Sequence, residues 1–574
     1  MKNVKNLFGM AVMATALVGC SSNDNLNPNP NDNAGKAGEA YASFKINLPT
    51  TSGTRAAGDP TFEKGDKNEY AVNDATLLLF QKNATTGAFE YKEAVELGNM
   101  EPWTSSDASG ITTTAKLTAK LNNAKVGAND YYALIVLNNH TTTAAKINFP
   151  TTNQSFAEWS KIAANATAKY SEYNNGFFMA NAPKYVAGAP TTLVAIKNIC
   201  ASKQQAENSE ATTVYVERGL AKVSLASTSS EHVDITGGNY DGDHVDIIGW
   251  TLDVTNTKTY PVHVTDDLWA DTWKATTTTA ATNGASLDRF HDTKPDSEFP
   301  RVYWGLDPNY STNYTTVGAC EGEFNLVASL TDPATAFKTG EDAKKPQYCL
   351  ENTFDIDHMV QGQTTRVLFS AKYTPKGFHD GDTFYKMGNS SQLWNATKVE
   401  AQIKAKAMEV LEEADESKVT VTLAAPANNL TEAGVKLVAA VNVQHNSADI
   451  PEAKVKELNA KLGFKATASG DVEVGLSTFK GGVSYYIARV KHFNDLTPWK
   501  PGDKTYDGNN ANWLGRYGVL RNNWYELSVS SVSGPGYPDV PKVNPTDPDD
   551  VNDQYINVEV KILSWAKRSQ SVDL

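Results

Sequence analysis

The chain has 574 residues, of which 40% are hydrophobic and 21% charged, an ordinary balance for folded protein and too long for a single core. Its formal charge of −14 becomes −16 once residues 1–55, with five Lys/Arg and three Asp/Glu, are taken off. That balance argues against nucleic acid and anionic lipid as partners, because either needs a basic face.

The first element is a short apolar run, Leu7 to Val18, behind Lys2 and Lys5 and ahead of Leu17-Val18-Gly19-Cys20. A charged start, about a dozen apolar residues and small residues at the end describe a secretory signal over 1–19. The run is too short to span a bilayer, which takes about 20 residues. Its last four residues resemble the lipobox of bacterial lipoproteins, in which Cys20 is acylated, palmitate being one such chain. Residues 21–40, rich in Asn, Asp, Pro, Gly and Ala, read as a tether. Then Ala42, Phe44, Ile46 and Leu48 alternate with Ser43, Lys45 and Asn47, the period of a half-buried strand. A small, polar loop with Arg55 and Ala56 follows.

Further strands are expected over 75–81, 89–97, 111–121, 131–137, 191–197 and 213–225, and then over 245–254, 364–373, 418–423, 435–443, 483–491 and 524–530. Thr, Val, Ile and Tyr between Asn/Gly turns carry these expectations. Residues 156–168 are expected to be helical, as are 399–414 and 452–462, the last two as surface insertions. Many short strands with few helices imply an all-β protein. Residues 534–553, with five Pro and five Asp, read as a stiff, solvated linker. Beyond it Ile556, Val558, Val560 and Ile562 alternate with polar residues, and the apolar parity shifts at Leu563 and Trp565.

With Cys20 lipidated, Cys200, Cys320 and Cys349 remain. Cys320 and Cys349 lie closest in sequence and are the candidate disulfide, with three free thiols as the alternative. The nine histidines form neither His-Glu-x-x-His nor any nucleophile motif, so an enzyme is not expected and no cofactor is implied. Asp241–His244 and Asp355–His358 lack the rest of a metal loop, so no metal site is expected. Trp269, Trp273 and Trp304 could serve as sugar-stacking platforms, although aromatics in a sandwich are more often core.

Together these stretches resemble the fimbrillins of Bacteroidetes, the shaft subunits of type V pili. The resemblance rests on the lipobox, the strand 42–48 with Thr54-Arg55-Ala56, Tyr131–Asn138, Val216-Glu217-Arg218-Gly219-Leu220-Ala221-Lys222-Val223, and Tyr485–Val490. It rests most on Arg521-Asn522-Asn523-Trp524-Tyr525-Glu526-Leu527, with its Gly534-Pro535-Gly536 exit and final Ser564-Trp565. It implies two transthyretin-like β-sandwich domains, 56–228 and 229–533, with small helical insertions. A propeptide, 20–55, would be removed by an Arg-specific protease cutting between Arg55 and Ala56. A linker, 534–553, and a C-terminal donor strand, 554–574, would follow. The implied function is that of a fimbrial subunit in adhesion, biofilm and virulence, carried to the outer membrane as a lipidated precursor and then built into an extracellular filament. Implied partners are other copies of the chain, accessory fimbrial subunits, the protease, and host or bacterial receptors. The alternatives are an accessory tip or anchor subunit and a carbohydrate-binding surface lipoprotein adhesin.

Overall fold

The computed structural model describes residues 39–49, 67–97, 104–106, 111–139, 146–165, 176–187, 189–226, 231–265, 290–291, 299–310, 314–354, 358–423, 435–466, 472–492, 514–549 and 556–563. Cys20, Arg55, Ala56, Trp269, Trp273 and Trp565 lie outside them. In its first half the strands used below are β1 (Ala40–Pro49), β2 (Ala75–Lys82), β3 (Phe89–Glu96), β4 (Thr104–Ser106), β5 (Ile111–Leu121), β6 (Tyr131–Leu137), β7 (Met179–Asn181) and β8 (Thr212–Arg218). They run in the order β3-β2-β6-β7-β8-β1-β5-β4. Phe44 and Ile46 of β1, Leu77 and Leu79 of β2, Ile135 of β6 and Val214 of β8 meet in one core. The alternation of apolar and polar residues places one face of each strand in that core, as a two-residue period demands.

The second half uses β9 (Leu220–Leu225), β10 (His232–Asp234), β11 (His244–Asp253), β12 (Gln347–Leu350), β13 (Arg366–Thr374), β14 (Phe384–Met387), β15 (Leu476–Phe479), β16 (Val483–Arg489), β17 (Trp524–Val532) and β18 (Ile556–Leu563). One sheet has the order β12-β9-β17-β18 and another the order β10-β11-β13-β16. Val223, Tyr525 and Leu527 of the first face Trp250, Phe369 and Tyr486 of the second across a shared core. Sheet packed on sheet is the sandwich that the strand-rich sequence implies.

The single strand expected over 213–225 is two strands in different sheets. β8 ends at Arg218 and β9 begins at Leu220, so the chain passes from the first sheet to the second at Gly219. A continuous apolar run cannot reveal such a change of sheet, because each half of it is buried. The 156–168 helix shrinks to Phe156–Trp159, closed by a Ser155–Glu158 capping box. The helices α1 (Ala396–Leu411) and α2 (Glu452–Lys461) do form, between β14 and β15. They bury Val399, Ile403, Val455 and Leu458 in an apolar cluster of their own with Tyr385 and Val443. The insertion thus has its own core, and its two ends feed the neighbouring antiparallel strands β13 and β16.

The expected solvated linker is, over 534–549, a strap bonded to the second half. Tyr486 Oη donates to Gly534 O at 3.0 Å, and Tyr485 and Tyr537 exchange both backbone hydrogen bonds at 2.9 Å. Arg366 Nη2 donates to Pro541 O at 2.8 Å, and Thr364 Oγ1 donates to Asp549 Oδ2 at 3.0 Å. Val540 and Val543 are buried. Proline removes backbone donors and leaves carbonyls, so a Pro-rich segment suits a surface that offers N–H and O–H groups. At Gly536, φ is +64° and an added Cβ would stand 2.4 Å from Tyr485 O, so this position takes only glycine.

Candidate functional site

The strand expected over 42–48 is present as β1, and it is an interior strand. It pairs antiparallel with β5 from Ala40↔Leu121 and parallel with β8 from Phe44↔Thr212 to Asn47↔Tyr215. Ala42, Phe44, Ile46 and Leu48 are all fully buried. The opposite face is not idle: Ser43 Oγ and Thr118 Oγ1 stand 2.7 Å apart, and Thr114 Oγ1 donates to Asn47 Oδ1 at 2.7 Å. Lys45 alone on that face is well exposed.

The C-terminal strand occupies a different kind of place. β18 pairs antiparallel with β17 from Trp524↔Leu563 to Val532↔Ile556, with a register shift between Val529 and Ser531. It is the last strand in its sheet order, so among the described residues one of its edges is paired. Ile556, Val558, Val560, Ile562 and Leu563 all lie on it, and Val558 packs against the core shared by the two sheets. The structure therefore places the two sequence-predicted strands in separate sheets.

The motifs that carried the resemblance meet where β8 gives way to β9. Arg218 is buried; its Nη1 donates to Asn522 Oδ1 at 3.1 Å and its Nε to Glu69 O at 2.7 Å. Burial pushes its pKa down to about 10, against the opposing pull of Glu69. Glu69 pairs with Lys222 at 2.7 Å and accepts from Tyr348 Oη at 2.6 Å, while Lys222 lies 3.7 Å from the Trp524 ring centroid. Beside this group is a second one. Arg301 Nη2 stands 2.9 Å from Glu217 Oε2, and Arg521 Nη2 stands 3.2 Å from Glu351 Oε1. His263 lies between the two carboxylates, its Nδ1 2.7 Å from Glu217 Oε1 and its Nε2 on Glu351. Nδ1 meets its oxygen at ion-pair distance but off the line of a good hydrogen bond. Burial would raise the Glu351 pKa, yet Arg521 and His263 outweigh it and hold it at about 2. His263 and Glu69 carry no sequence signal of this role; of their partners, Glu217 and Lys222 stood in a recognisable motif, and Glu351 and Tyr348 did not.

The candidate disulfide does not form. Cys320 and Cys349 are free, buried thiols. Cys320 packs with Val254, Phe324 and Val543, whereas Cys349 belongs to the core between the two sheets of the second half. Closeness in sequence does not bring the two sulfurs into one cluster. Burial pushes the Cys320 pKa up to about 11 and that of Cys349 up to about 12. Trp304 is core, donating Nε1–H to Phe354 O at 3.0 Å, and offers no face for a sugar. Asp243 accepts from Tyr373 Oη at 2.5 Å and from Lys376 N at 2.8 Å, which is the work of a turn. Among the described residues no group of three His, Cys, Asp or Glu is placed to hold a metal ion.

Three crystal structures from Parabacteroides distasonis ATCC 8503 share features with the chain. Two are of candidate cell adhesion proteins, at 10% and 9% identity with TM-scores of 0.37 and 0.35; each covers 92% of this chain, and 98% and 99% of their own. The third is a fimbrial assembly protein, at 10% identity and a TM-score of 0.27, covering 59% of this chain and 85% of its own. At such TM-scores these likenesses carry no argument. No curated protein matches the chain. Residues 477–571, which hold β16, β17, the strap and β18, match the family "Major fimbrial subunit protein type IV, Fimbrillin, C-terminal". The resemblance to fimbrillins is thus shown through that C-terminal segment, the part of the chain in which the sequence motifs were densest.

Proposed function

We propose that the chain is a structural subunit of a surface fimbria that polymerises by protease-triggered strand exchange. The single observation that carries this reading is the place of β1. It is an interior strand with five fully buried apolar residues, from Ala40 to Leu48, yet the segment after it carries Arg55. In this reading residues 1–19 are a signal peptide and Cys20 is acylated. An Arg-specific protease cuts between Arg55 and Ala56, and residues 20–55 leave with β1. The first domain then begins at 56 and the second ends at 533, and the chain crosses between them at Gly219 rather than at 228, because β9 lies in a sheet of the second half.

Loss of β1 would open the edges of both β5 and β8 over an apolar groove, a template for another chain's strand. A strand whose apolar residues alternate as those of β1 do can fill it, and β18 of a second copy qualifies. Leaving β17 costs β18 one ladder, and entering the groove gives it two, each ladder bond being worth about 0.5–1.5 kcal/mol. Val558 already packs against the core of its own domain, so only the burial that the groove adds counts, at about 1.5–3 kcal/mol for each Val or Ile side chain newly buried. Association costs of about 4–15 kcal/mol oppose this. The two sides are comparable, so the filament's endurance must rest on slow exchange as well as on equilibrium.

The strap holds the chain to its own domain as far as Asp549. The donor would therefore move from that point, and the residues 550–574 reach at most about 80 Å when extended. Head-to-tail contacts of this sort do not close on themselves and so give a filament. Adhesion, biofilm and receptor binding belong to the assembled fimbria, and accessory subunits would start and end it. Arg55→Ala tests the reading: the expected outcome is folded, secreted monomer without fibres by electron microscopy. Normal fibres from that variant would contradict it.

A further inference from the structure

Five ionisable side chains, Glu217, His263, Arg301, Glu351 and Arg521, are buried together where the first sheet hands over to the second. Glu217 stands at the end of β8 in the first sheet. Glu351 directly follows β12, and Arg521 shortly precedes β17, both in the second sandwich. We propose that His263 is the pin of a pH-operated clamp between the two halves of the protein, closed while both its ring nitrogens carry protons and loosened when one is lost.

The geometry supplies the reason. Each ring nitrogen faces a carboxylate oxygen: Nδ1 faces Glu217 Oε1 at 2.7 Å, and Nε2 faces Glu351 Oε2. A neutral imidazole has one N–H and one lone pair, so it can serve only one of them. The other oxygens of the two carboxylates are already taken, Glu217 Oε2 by Arg301 and Glu351 Oε1 by Arg521. His263 is 2% exposed and its partners no more than 3%, so water has no ready route to replace the lost bond. Gly305 lies close against the ring, where an added Cβ would stand 3.0 Å from His263 Cδ2.

The charges facing the ring account for its preference. Burial alone would lower the His263 pKa, but Glu217 and Glu351 outweigh it and also the opposing Arg521. Arg301 acts through Glu217, and its guanidinium lies 5.4 Å from the Tyr303 ring. Asp307 and Tyr525 also feel Glu351. Asp307 accepts from the Asn309 and Thr353 amides, and Tyr525 Oη stands 2.7 Å from His492 Nδ1. The clamp does not depend on the fimbrial reading, for it concerns the uncleaved, unassembled chain as much as a subunit in a fibre.

Hydrogen exchange on the full-length chain, corrected for intrinsic rates, measures the clamp through the amides of Tyr185 and Val302, which donate to Pro300 O and Pro183 O between the first half and the segment that carries Arg301. Between the ordinary imidazole pKa of about 6.5, which the opened state would show, and the raised pKa of the closed state, their protection is expected to fall about tenfold per pH unit and to level off above that window. His263→Gln, with a donor on one side only, should show low protection with no such slope. Asp307→Asn should keep the slope, which separates the two titrations. If His263→Gln does not fold, the ring nitrogen resonances of the wild-type protein decide the matter, because both must show the protonated state near neutral pH. A bare ring nitrogen there, an unchanged slope in His263→Gln, or a slope abolished by Asp307→Asn would overturn the proposal.

Discussion

Arg521 shows how a residue picked out by its motif does its work through others that were not. Its guanidinium stands on Glu351, also donates toward Tyr260 O, and lies one residue before Asn522, which accepts from Arg218. Removing one member of a buried pair leaves the other charge without compensation, which costs about 3–5 kcal/mol. Arg521→Leu should therefore lower the unfolding free energy measured in urea by that amount, and a change under about 1 kcal/mol would show the pair to be dispensable. The pH signs at this junction differ by residue. Glu351 is held at about 2, below its unfolded value, so its contribution is present above that unfolded value and lost as pH falls through about 2. Asp307 is pushed up to about 7, chiefly by burial, against the Thr353 and Asn309 amides that favour its charge. Its contribution is full below its unfolded value and lost as pH rises toward about 7, so Asp307→Asn should flatten the decline of urea stability over that range. The motif arginines were legible because they stand in fixed strings of neighbours. His263 and Glu69 were not, since a lone His in a loop and a Glu in a single helical turn have no periodicity to betray burial.

Among the elements, β1 was the most legible, because a two-residue alternation over Ala42 to Leu48 has one natural reading. Its interior position was not legible, since pairing with β8 crosses more than 160 residues of sequence. The expected linker failed for a related reason: a Pro/Asp-rich string looks solvated until something supplies donors to its carbonyls, as Arg366 and Tyr485 do here. Two variants separate the roles of the first and last strands. Phe44→Ala removes a fully buried aromatic from β1 and should destabilise the precursor by about 3–5 kcal/mol in urea unfolding. If β1 is discarded, the processed subunit should polymerise at the wild-type rate, and slowed elongation after cleavage would mean that Phe44 stays in the fibre. Val560→Asp places a charge in the middle of β18, the proposed donor strand. Cleavage at Arg55 should then proceed while fibres fail to lengthen, and wild-type fibre lengths by electron microscopy would place the donor elsewhere.

Across the whole molecule, the all-β class followed from composition and spacing, and the sheets confirm it. The crossing at Gly219 and the separate core around α1 and α2 required the structure, because both depend on which buried face meets which. The proposed exchange joins an interior strand, followed in sequence by Arg55, to an edge strand that comes after an anchored strap. Mass spectrometry of the subunit recovered from purified fibres tests this most directly. The account predicts a polypeptide that begins at Ala56 and contains no peptide from residues 40–49. Fibres whose subunits retain those residues would contradict it.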